Sequence, residues 1–114
     1  METVVKIFKS LADNNRIRIL KMLQQKPLCV CEITAVLGLA TSTVSKHLSI
    51  LKAADIIIDL KDGRWVNYHL NKAGRNLYLT GLLPLLSYWL QNDEQVKSDK
   101  EKLKTADRKI LCGS

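Results

Sequence analysis

The sequence predicts a mainly α-helical fold with one β-hairpin, an α+β class, built as one small domain. Three observations support this prediction. Apolar residues recur at helical spacing in several segments of the 114-residue chain. Gly38 separates two of these segments by a short turn. The pair Asp62-Gly63 joins two β-prone runs, which is a strong hairpin signal. Hydrophobic content of 46% with 25% charged residues excludes wholesale disorder.

Two helices are predicted at the start of the chain, and they should meet near Asp13. The first carries apolar residues at helical spacing: Val4, Ile7, Phe8 and Leu11. Asp13 is a good N-cap for the second helix, expected from Asn14 to Gln25 and stopped by Lys26-Pro27. In that second helix the basic residues Arg16, Arg18 and Lys21 are expected mostly to face outward.

The third and fourth helices form the next predicted unit. The third should run from Leu28 to Leu37 and end at Gly38, after which Thr41 is a candidate N-cap. The fourth should run from Ser42 to about Ala54. Its expected core face is Val44, Leu48 and Leu51, spaced i, i+4 and i+7. Helix, short turn with glycine and helix together predict a helix-turn-helix.

A β-hairpin is predicted directly after the fourth helix. Its strands are Ile56 to Leu60 and Arg64 to Leu70, and the turn is expected at Asp62-Gly63, with positive φ at both positions. A hairpin in this place is a wing. The fold prediction is therefore a winged helix-turn-helix.

The last long helix is expected from about Lys72 to Gln91, and leucines crowd most of its circumference. One small domain cannot bury so much apolar surface on a terminal helix, so we expect a second copy of the chain to cover it, together with the first helix. The prediction is a homodimer. Residues 1–92 are expected to form the DNA-binding and dimerisation domain, and residues 93–114 a charged C-terminal tail or loosely held helix.

The charge balance favours a polyanionic partner, because the chain carries a formal net charge of +7. The exposed face of the fourth helix should be small, polar and basic, which suits a helix lying in the major groove of double-stranded DNA. Lys61 and Arg64 flank the wing tip, where they can contact a neighbouring groove or the backbone. The candidate DNA-binding residues are Ser42, Thr43, Ser45, Lys46, His47, Ser49, Lys61 and Arg64.

The three cysteines, Cys29, Cys31 and Cys112, are the candidate chemical groups of the chain. No segment is long and apolar enough to cross a membrane, and the N-terminus lacks the order of a signal peptide, so a cytoplasmic protein is expected. In a reducing cytosol, cysteines are better interpreted as metal ligands or redox thiols than as a disulfide framework. Residues two apart in a regular helix point about 200° apart, so Cys29 and Cys31 can share an ion only if the helix start is non-helical or becomes distorted.

Four segments, LADNNRIRIL, LCVCEI, TSTVSKHLSILKAADII and DLKDGRWVNYHL, together resemble the ArsR/SmtB family of metal-responsive repressors. The resemblance covers about Glu2 to Leu90 and preserves order and spacing. It implies a homodimeric winged helix-turn-helix whose first and last helices form the dimer interface. It also implies a repressor that binds operator DNA and releases it when an inducer binds.

Within that family, Cys-Val-Cys at the start of the third helix resembles the arsenite and antimonite branch, so the resemblance implies As(III) or Sb(III) as inducer, bound through Cys29 and Cys31. A third cysteine often found in that branch is replaced here by Thr34, and Cys112 is the candidate third ligand. Cadmium- and lead-sensing relatives add cysteines upstream, but none precedes Cys29. Zinc- and nickel-type sites use histidines on the last helix, and no histidine lies between residues 72 and 91.

Two alternatives stay open at this point. The same repressor can be switched by oxidation of Cys29, Cys31 or Cys112 to a disulfide or sulfenic acid. A small thiol enzyme is the other, but the chain has Cys-x-Cys rather than Cys-x-x-Cys, and no acid or base is evident beside the thiols. We therefore expect no enzyme and no organic cofactor. His47 and His69 are not expected to add to a metal site.

Overall fold

The computed structural model describes residues 1–72 and 76–106 of the chain. Within these residues a β-hairpin stands between four N-terminal and two C-terminal helices, and this confirms the predicted winged helix-turn-helix. The elements in chain order are α1 (Glu2–Leu11), α2 (Asn14–Leu23), α3 (Val30–Leu37), α4 (Thr41–Ala53), β1 (Ile57–Asp62), β2 (Trp65–Leu70), α5 (Leu77–Tyr88) and α6 (Glu94–Thr105).

Helix α2 begins where the sequence predicts, because Asp13 is its N-cap. The Asp13 carboxylate accepts hydrogen bonds from the backbone N–H groups of Asn15 at 2.8 Å and Arg16 at 3.1 Å. These are two of the N–H groups that the first turn of a helix leaves without a partner. The cap thus defines the corner between α1 and α2.

The helix-turn-helix follows the predicted pattern, with two differences at the helix starts. Gly38 ends α3 with a φ of 71°, and the expected core face of α4 is buried. Leu28, however, is not helical; it exchanges backbone hydrogen bonds with Tyr68 and so extends the wing. The prediction that Thr41 caps α4 is wrong. Thr41 is the first helical residue, and Ala40 occupies the cap without a side-chain hydrogen bond.

The wing is a two-stranded antiparallel hairpin in which Asp62 pairs with Trp65. The turn residues are therefore Gly63 and Arg64, one position later than predicted. Only Gly63 of these two has a positive φ, 61°, whereas the predicted turn needs positive values at both positions. Glycine at the first turn position with an ordinary second residue is the pattern of a type II′ hairpin.

The predicted last helix is shorter in the structure and is followed by another. Asn76 caps α5 through hydrogen bonds from the N–H groups of Tyr78 and Leu79. The chain leaves the helix at Trp89, and Leu90 has a φ of 63°. Many apolar side chains of α1 and α5 stay exposed, among them Phe8, Leu77, Leu85 and Tyr88. In the part of the chain that the structure describes, no helix combines the length and hydrophobicity that spanning a bilayer requires.

Helix α6 lies in the segment that was expected as a charged tail, and it packs against α2 and α3. Its Asp99 is 2% exposed and accepts two hydrogen bonds from the Arg18 guanidinium, both 2.9 Å long. Gln95 donates a third, and Leu103 joins the hydrophobic core. Over residues 94–105 the chain is thus a helix packed on the body of the domain. The ion pair that holds it cannot be inferred from the charged composition of the segment. The division into a domain of residues 1–92 and a separate tail stays a prediction.

Replacing Asp99 by Asn should lower the free energy of unfolding by about 2–4 kcal/mol, because the Arg18 guanidinium would lose its buried counter-charge. Glu101 on the same helix pairs with Lys104 in solvent, so Glu101→Gln is the matched control and should cost less than about 0.5 kcal/mol. Urea unfolding at one protein concentration measures both. Equal effects of the two substitutions would contradict the role given to Asp99.

The Asp13 cap should also appear in the pH dependence of stability. Burial raises the pKa of the carboxyl, but the N–H groups of Arg16 and Asn15 outweigh burial and hold the pKa below its ordinary value of 3.8. The contribution of the carboxylate is therefore complete above pH 3.8 and is lost as pH falls through the lower, folded-state pKa. Asp13→Asn keeps an accepting cap but has no titrating carboxyl. The difference in free energy of unfolding between wild type and this variant should therefore become smaller from pH 7 to pH 3. A gap that widens toward acid would contradict this.

Candidate nucleic-acid interface and thiol site

The candidate DNA-contacting residues of α4 lie on its solvent side. Val44, Leu48 and Leu51 are buried, while the opposite face of the helix is accessible. Of the predicted residues, one, His47, is half-buried, and the others are exposed: Ser42, Thr43, Ser45, Lys46 and Ser49. Such a face offers hydroxyl and ammonium donors to phosphates and base edges.

The wing adds two cations next to this helix. Lys61 and Arg64 are both exposed, and the Arg64 guanidinium stacks over the ring of Trp65 at 4.9 Å from the ring centre. Stacking on an aromatic face restricts the guanidinium without neutralising it. Lys52 at the end of α4 pairs with Asp59 of β1, with 3.0 Å between the ammonium nitrogen and the carboxylate. The pair ties the wing to the helix on which the other candidate residues lie.

Two basic residues of α2 do not face outward as expected. Lys21 is only 7% exposed and donates a hydrogen bond of 2.9 Å to the carbonyl oxygen of Leu86. Burial lowers the pKa of its ammonium group. Arg18 forms an ion pair with Asp99. Neither partner can be inferred from sequence spacing, because each lies more than sixty residues away.

Arg16, the third of these residues, contacts the helix with the candidate DNA-binding face. Its guanidinium donates to the carbonyl oxygens of Ser10 at 2.7 Å and Lys9 at 3.4 Å, at the end of α1. A further nitrogen lies 3.2 Å from Nδ1 of His47. Helical spacing predicts Arg16 near the start of α2 but gives no sign of this link to α4.

Cys29 is the N-cap of α3 and is almost completely buried, with 4% of its surface exposed. Its thiol lies against the N–H of Glu32, while the Glu32 carboxylate accepts a hydrogen bond of 3.0 Å from the Cys29 N–H, which completes a capping box. Burial raises the pKa of the thiol, despite the opposing backbone N–H groups. In the resting fold Cys29 is therefore a protonated structural cap.

The second cysteine of the pair, Cys31, lies in the first turn of α3. Cys29 has extended backbone angles, φ −88° and ψ 168°, so the pair spans a non-helical and a helical residue. Cys31 is disulfide-bonded and Cys29 is a free thiol, so the two are not joined to each other. Cys112, the predicted third ligand, lies outside the described residues.

The described residues do not supply a complete metal site. Among residues 1–72 and 76–106 there is no group of three or more His, Cys, Asp or Glu side chains placed to hold an ion. Thr34, one turn after Cys31, has a buried hydroxyl without a hydrogen-bond partner in this part of the chain. In their reduced form, Cys29 and Cys31 carry soft sulfur donors.

Comparisons with known proteins agree with this architecture. The model of the family described as "Bacterial regulatory protein, arsR family" matches residues 13–59. The arsenic resistance transcriptional regulator ArsR1 of Pseudomonas putida is 36% identical over 91 residues, which are 76% of this chain and 71% of that protein. The arsenical resistance operon repressor of Escherichia coli is 35% identical over 68 residues, 59% of this chain and 58% of that protein.

A cadmium resistance regulator and a solved structure are also similar to this chain. The cadmium resistance regulator CadC homolog of Staphylococcus aureus is 38% identical over 69 residues, 60% of this chain and 57% of that protein. The homodimeric winged helix-turn-helix DNA-binding domain of Mb0332 from Mycobacterium bovis superposes with a TM-score of 0.64 at 25% identity, over 75% of each chain.

The capping role of Cys29 can be tested without any ligand. Serine is a preferred N-cap, so Cys29→Ser should leave the free energy of unfolding within about 0.5 kcal/mol of wild type, whereas Cys29→Ala should lower it by about 1 kcal/mol. Urea unfolding in the presence of a reductant measures both variants. If alanine and serine behave alike, the thiol does not stabilise the start of α3.

Proposed function

This chain belongs to the arsR family of bacterial regulatory proteins, and from that premise we propose that it is a homodimeric transcriptional repressor released from operator DNA by a thiophilic metalloid. As(III) or Sb(III) is the proposed inducer, held by Cys29 and Cys31. The observation that carries the proposal is the position of Cys29 as the cap of α3, the helix that packs against α4. The relatives are named as regulators rather than enzymes.

The proposed DNA-binding surface consists of the exposed face of α4 and the wing tip. Lys46, Lys61 and Arg64 are exposed cations, and a dimer would carry twice the +7 charge of the chain. The exposed hydroxyls of α4 add donors and acceptors for base edges. In a symmetric dimer the two α4 helices would enter successive major grooves, so an inverted repeat is the expected operator.

The second copy of the chain is proposed to cover the exposed apolar residues of α1 and α5. Phe8, Leu77 and Tyr88 are more than half exposed in the single chain. Apolar patches of this kind mark association surfaces. The homodimeric state of Mb0332, which has the same fold, supports this arrangement.

Cys29 couples binding of the inducer to binding of DNA, because it stabilises the N-terminal end of α3. Cys31 can hold an ion only after a reductant supplies two electrons and two protons to its disulfide. To share that ion, the Cys29 side chain must turn away from the N–H of Glu32 and lose its proton. The first turn of α3 then lacks its cap and loosens, and α3 packs directly against α4. The two α4 helices would no longer hold the spacing that successive grooves require. The coupling is reciprocal, because bound DNA then weakens inducer binding by the same factor.

The third donor of the inducer site is proposed to be Cys112, from the same or the partner subunit. Three sulfurs suit a soft trivalent ion better than two sulfurs with an oxygen ligand. Helix α6 packs against α3, the helix that carries Cys31, and Cys112 follows the end of α6 by seven residues. If Cys112 does not participate, an external thiol completes the site.

An oxidative switch is the second candidate, because Cys31 is disulfide-bonded while Cys29 is free. Formation of a disulfide removes two electrons and two protons from a pair of thiols, and peroxide is an oxidant that can accept them. In this version Cys31 responds to oxidants, and Cys29 remains only a cap. The two candidates therefore make opposite predictions for Cys29→Ser.

The deciding experiment measures DNA binding by fluorescence anisotropy with the region upstream of the chain's own gene. Arsenite, cadmium and peroxide are titrated separately, the first two with a reductant present. We expect arsenite to release wild type and not Cys29→Ser, which keeps the cap but lacks the soft donor. Cys112→Ser tests the third ligand. Release by peroxide alone, undiminished in Cys29→Ser, would contradict the metalloid proposal in favour of the oxidative one.

The DNA surface is tested in the same assay with Lys46→Ala and Arg64→Ala. Each should weaken binding and reduce the slope of log affinity against log salt by about 1, as expected for loss of one phosphate contact. Lys104, an exposed lysine of α6, is the control position, and Lys104→Ala should leave the slope unchanged. Unaltered binding by both test variants would show that α4 and the wing are not the DNA surface.

A further inference from the structure

The link between Arg16 and His47 determines which imidazole nitrogen carries the proton. Arg16 is a permanent cation whose guanidinium has only N–H donors. The atom that it reaches at 3.2 Å, Nδ1 of His47, must therefore be the acceptor. A neutral histidine that accepts at Nδ1 carries its proton on Nε2. The structure thus selects one of the two neutral forms of His47.

Arg16 itself is held in place by the end of α1. Its other two donor groups bond to the carbonyl oxygens of Ser10 and Lys9, at 2.7 and 3.4 Å. These carbonyls belong to the last turn of α1, where the helix dipole stabilises a positive charge, and the Lys9 carbonyl also accepts from the N–H of Ala12. Three contacts in different directions need the planar fork of arginine, and a lysine ammonium at the end of its flexible chain cannot reproduce them.

We propose that Arg16 is a positioning residue for DNA binding: it holds His47 with Nδ1 occupied, so that Nε2–H is the single donor that the imidazole offers to the nucleic acid. This inference rests on the proposed function. His47 is half-buried at the border of the exposed face of α4, between exposed Lys46 and buried Leu48. Its target must be a hydrogen-bond acceptor, either a phosphate oxygen or a purine acceptor in the major groove.

Two amide substitutions separate the roles of the two ring nitrogens. The longer side-chain amide in His47→Gln extends to the place of Nε2 and can donate there, whereas the shorter amide in His47→Asn reaches only the place of Nδ1. We expect His47→Asn, which lacks the Nε2 donor, to bind operator DNA about tenfold more weakly than wild type, and His47→Gln and Arg16→Lys, which both lose the contact at Nδ1, to bind about threefold more weakly. If His47→Gln is as weak as His47→Asn, the Nε2 donor has no role.

The tautomer is read directly by ¹⁵N NMR of the histidine side chains in the free protein, with His69 as the internal reference. His47 of wild type should show a protonated Nε2 and an unprotonated Nδ1, and in Arg16→Lys the two forms should mix. A wild-type His47 protonated at Nδ1 would overturn the proposal. So would operator affinity unchanged in Arg16→Lys and His47→Asn, each shown to be folded by circular dichroism.

The same binding data show whether His47 contacts a phosphate oxygen or a base. They also separate a failure of the repressor proposal from a failure of the Arg16 proposal. Loss of affinity for operator and unrelated DNA alike identifies a phosphate contact, and loss for the operator alone identifies a base contact. If wild type binds no DNA, the repressor proposal fails and takes the DNA role of His47 with it. Tight wild-type binding that none of the three variants alters overturns the positioning role alone.

Discussion

The burial of one face of α4 is the constraint on which the rest of the arrangement depends. Val44, Leu48 and Leu51 are fully buried, and α4 packs against α1, α2, α3 and β1, so the need to cover this face constrains how these elements are arranged around α4. Burying three such side chains contributes several kcal/mol, roughly 2 kcal/mol each. The opposite face of α4 does not pack against the core, so it can consist of hydroxyl side chains and a lysine.

The local elements of this fold could be predicted from the sequence, because each rests on neighbours in the chain. The Asp13 cap, the Gly38 helix end and the core face of α4 are of this kind. Contacts between distant residues could not be predicted. Nothing in a helical period says that Lys21 turns inward to a carbonyl of α5 or that Leu28 pairs with Tyr68.

The candidate site was predictable to the same extent. Its residue types and their exposure on α4 follow from the pattern, and so does the position of Cys29 and Cys31 at the start of α3. The pattern does not contain the capping box of Cys29 and Glu32 or the contact between Arg16 and His47, since a histidine at the edge of a helix face has no periodic signature. The Cys-x-Cys spacing predicts a ligand pair, whereas in the structure Cys29 is the N-cap of α3.

The hydrogen bond from Lys21 to Leu86 has a mechanical consequence. The carbonyl of Leu86 belongs to the last turn of α5, and the ammonium of Lys21, in the last turn of α2, donates a hydrogen bond to it. Sliding or rotating α5 along the body would strand a buried cation, and the bidentate pair of Arg18 with Asp99 ties α6 to α2 in the same way. Helix α6 is therefore anchored to α2 by a largely buried ion pair, and α5 is anchored to α2 by a buried hydrogen bond. Moving either helix away from α2 would leave a buried charge without its partner.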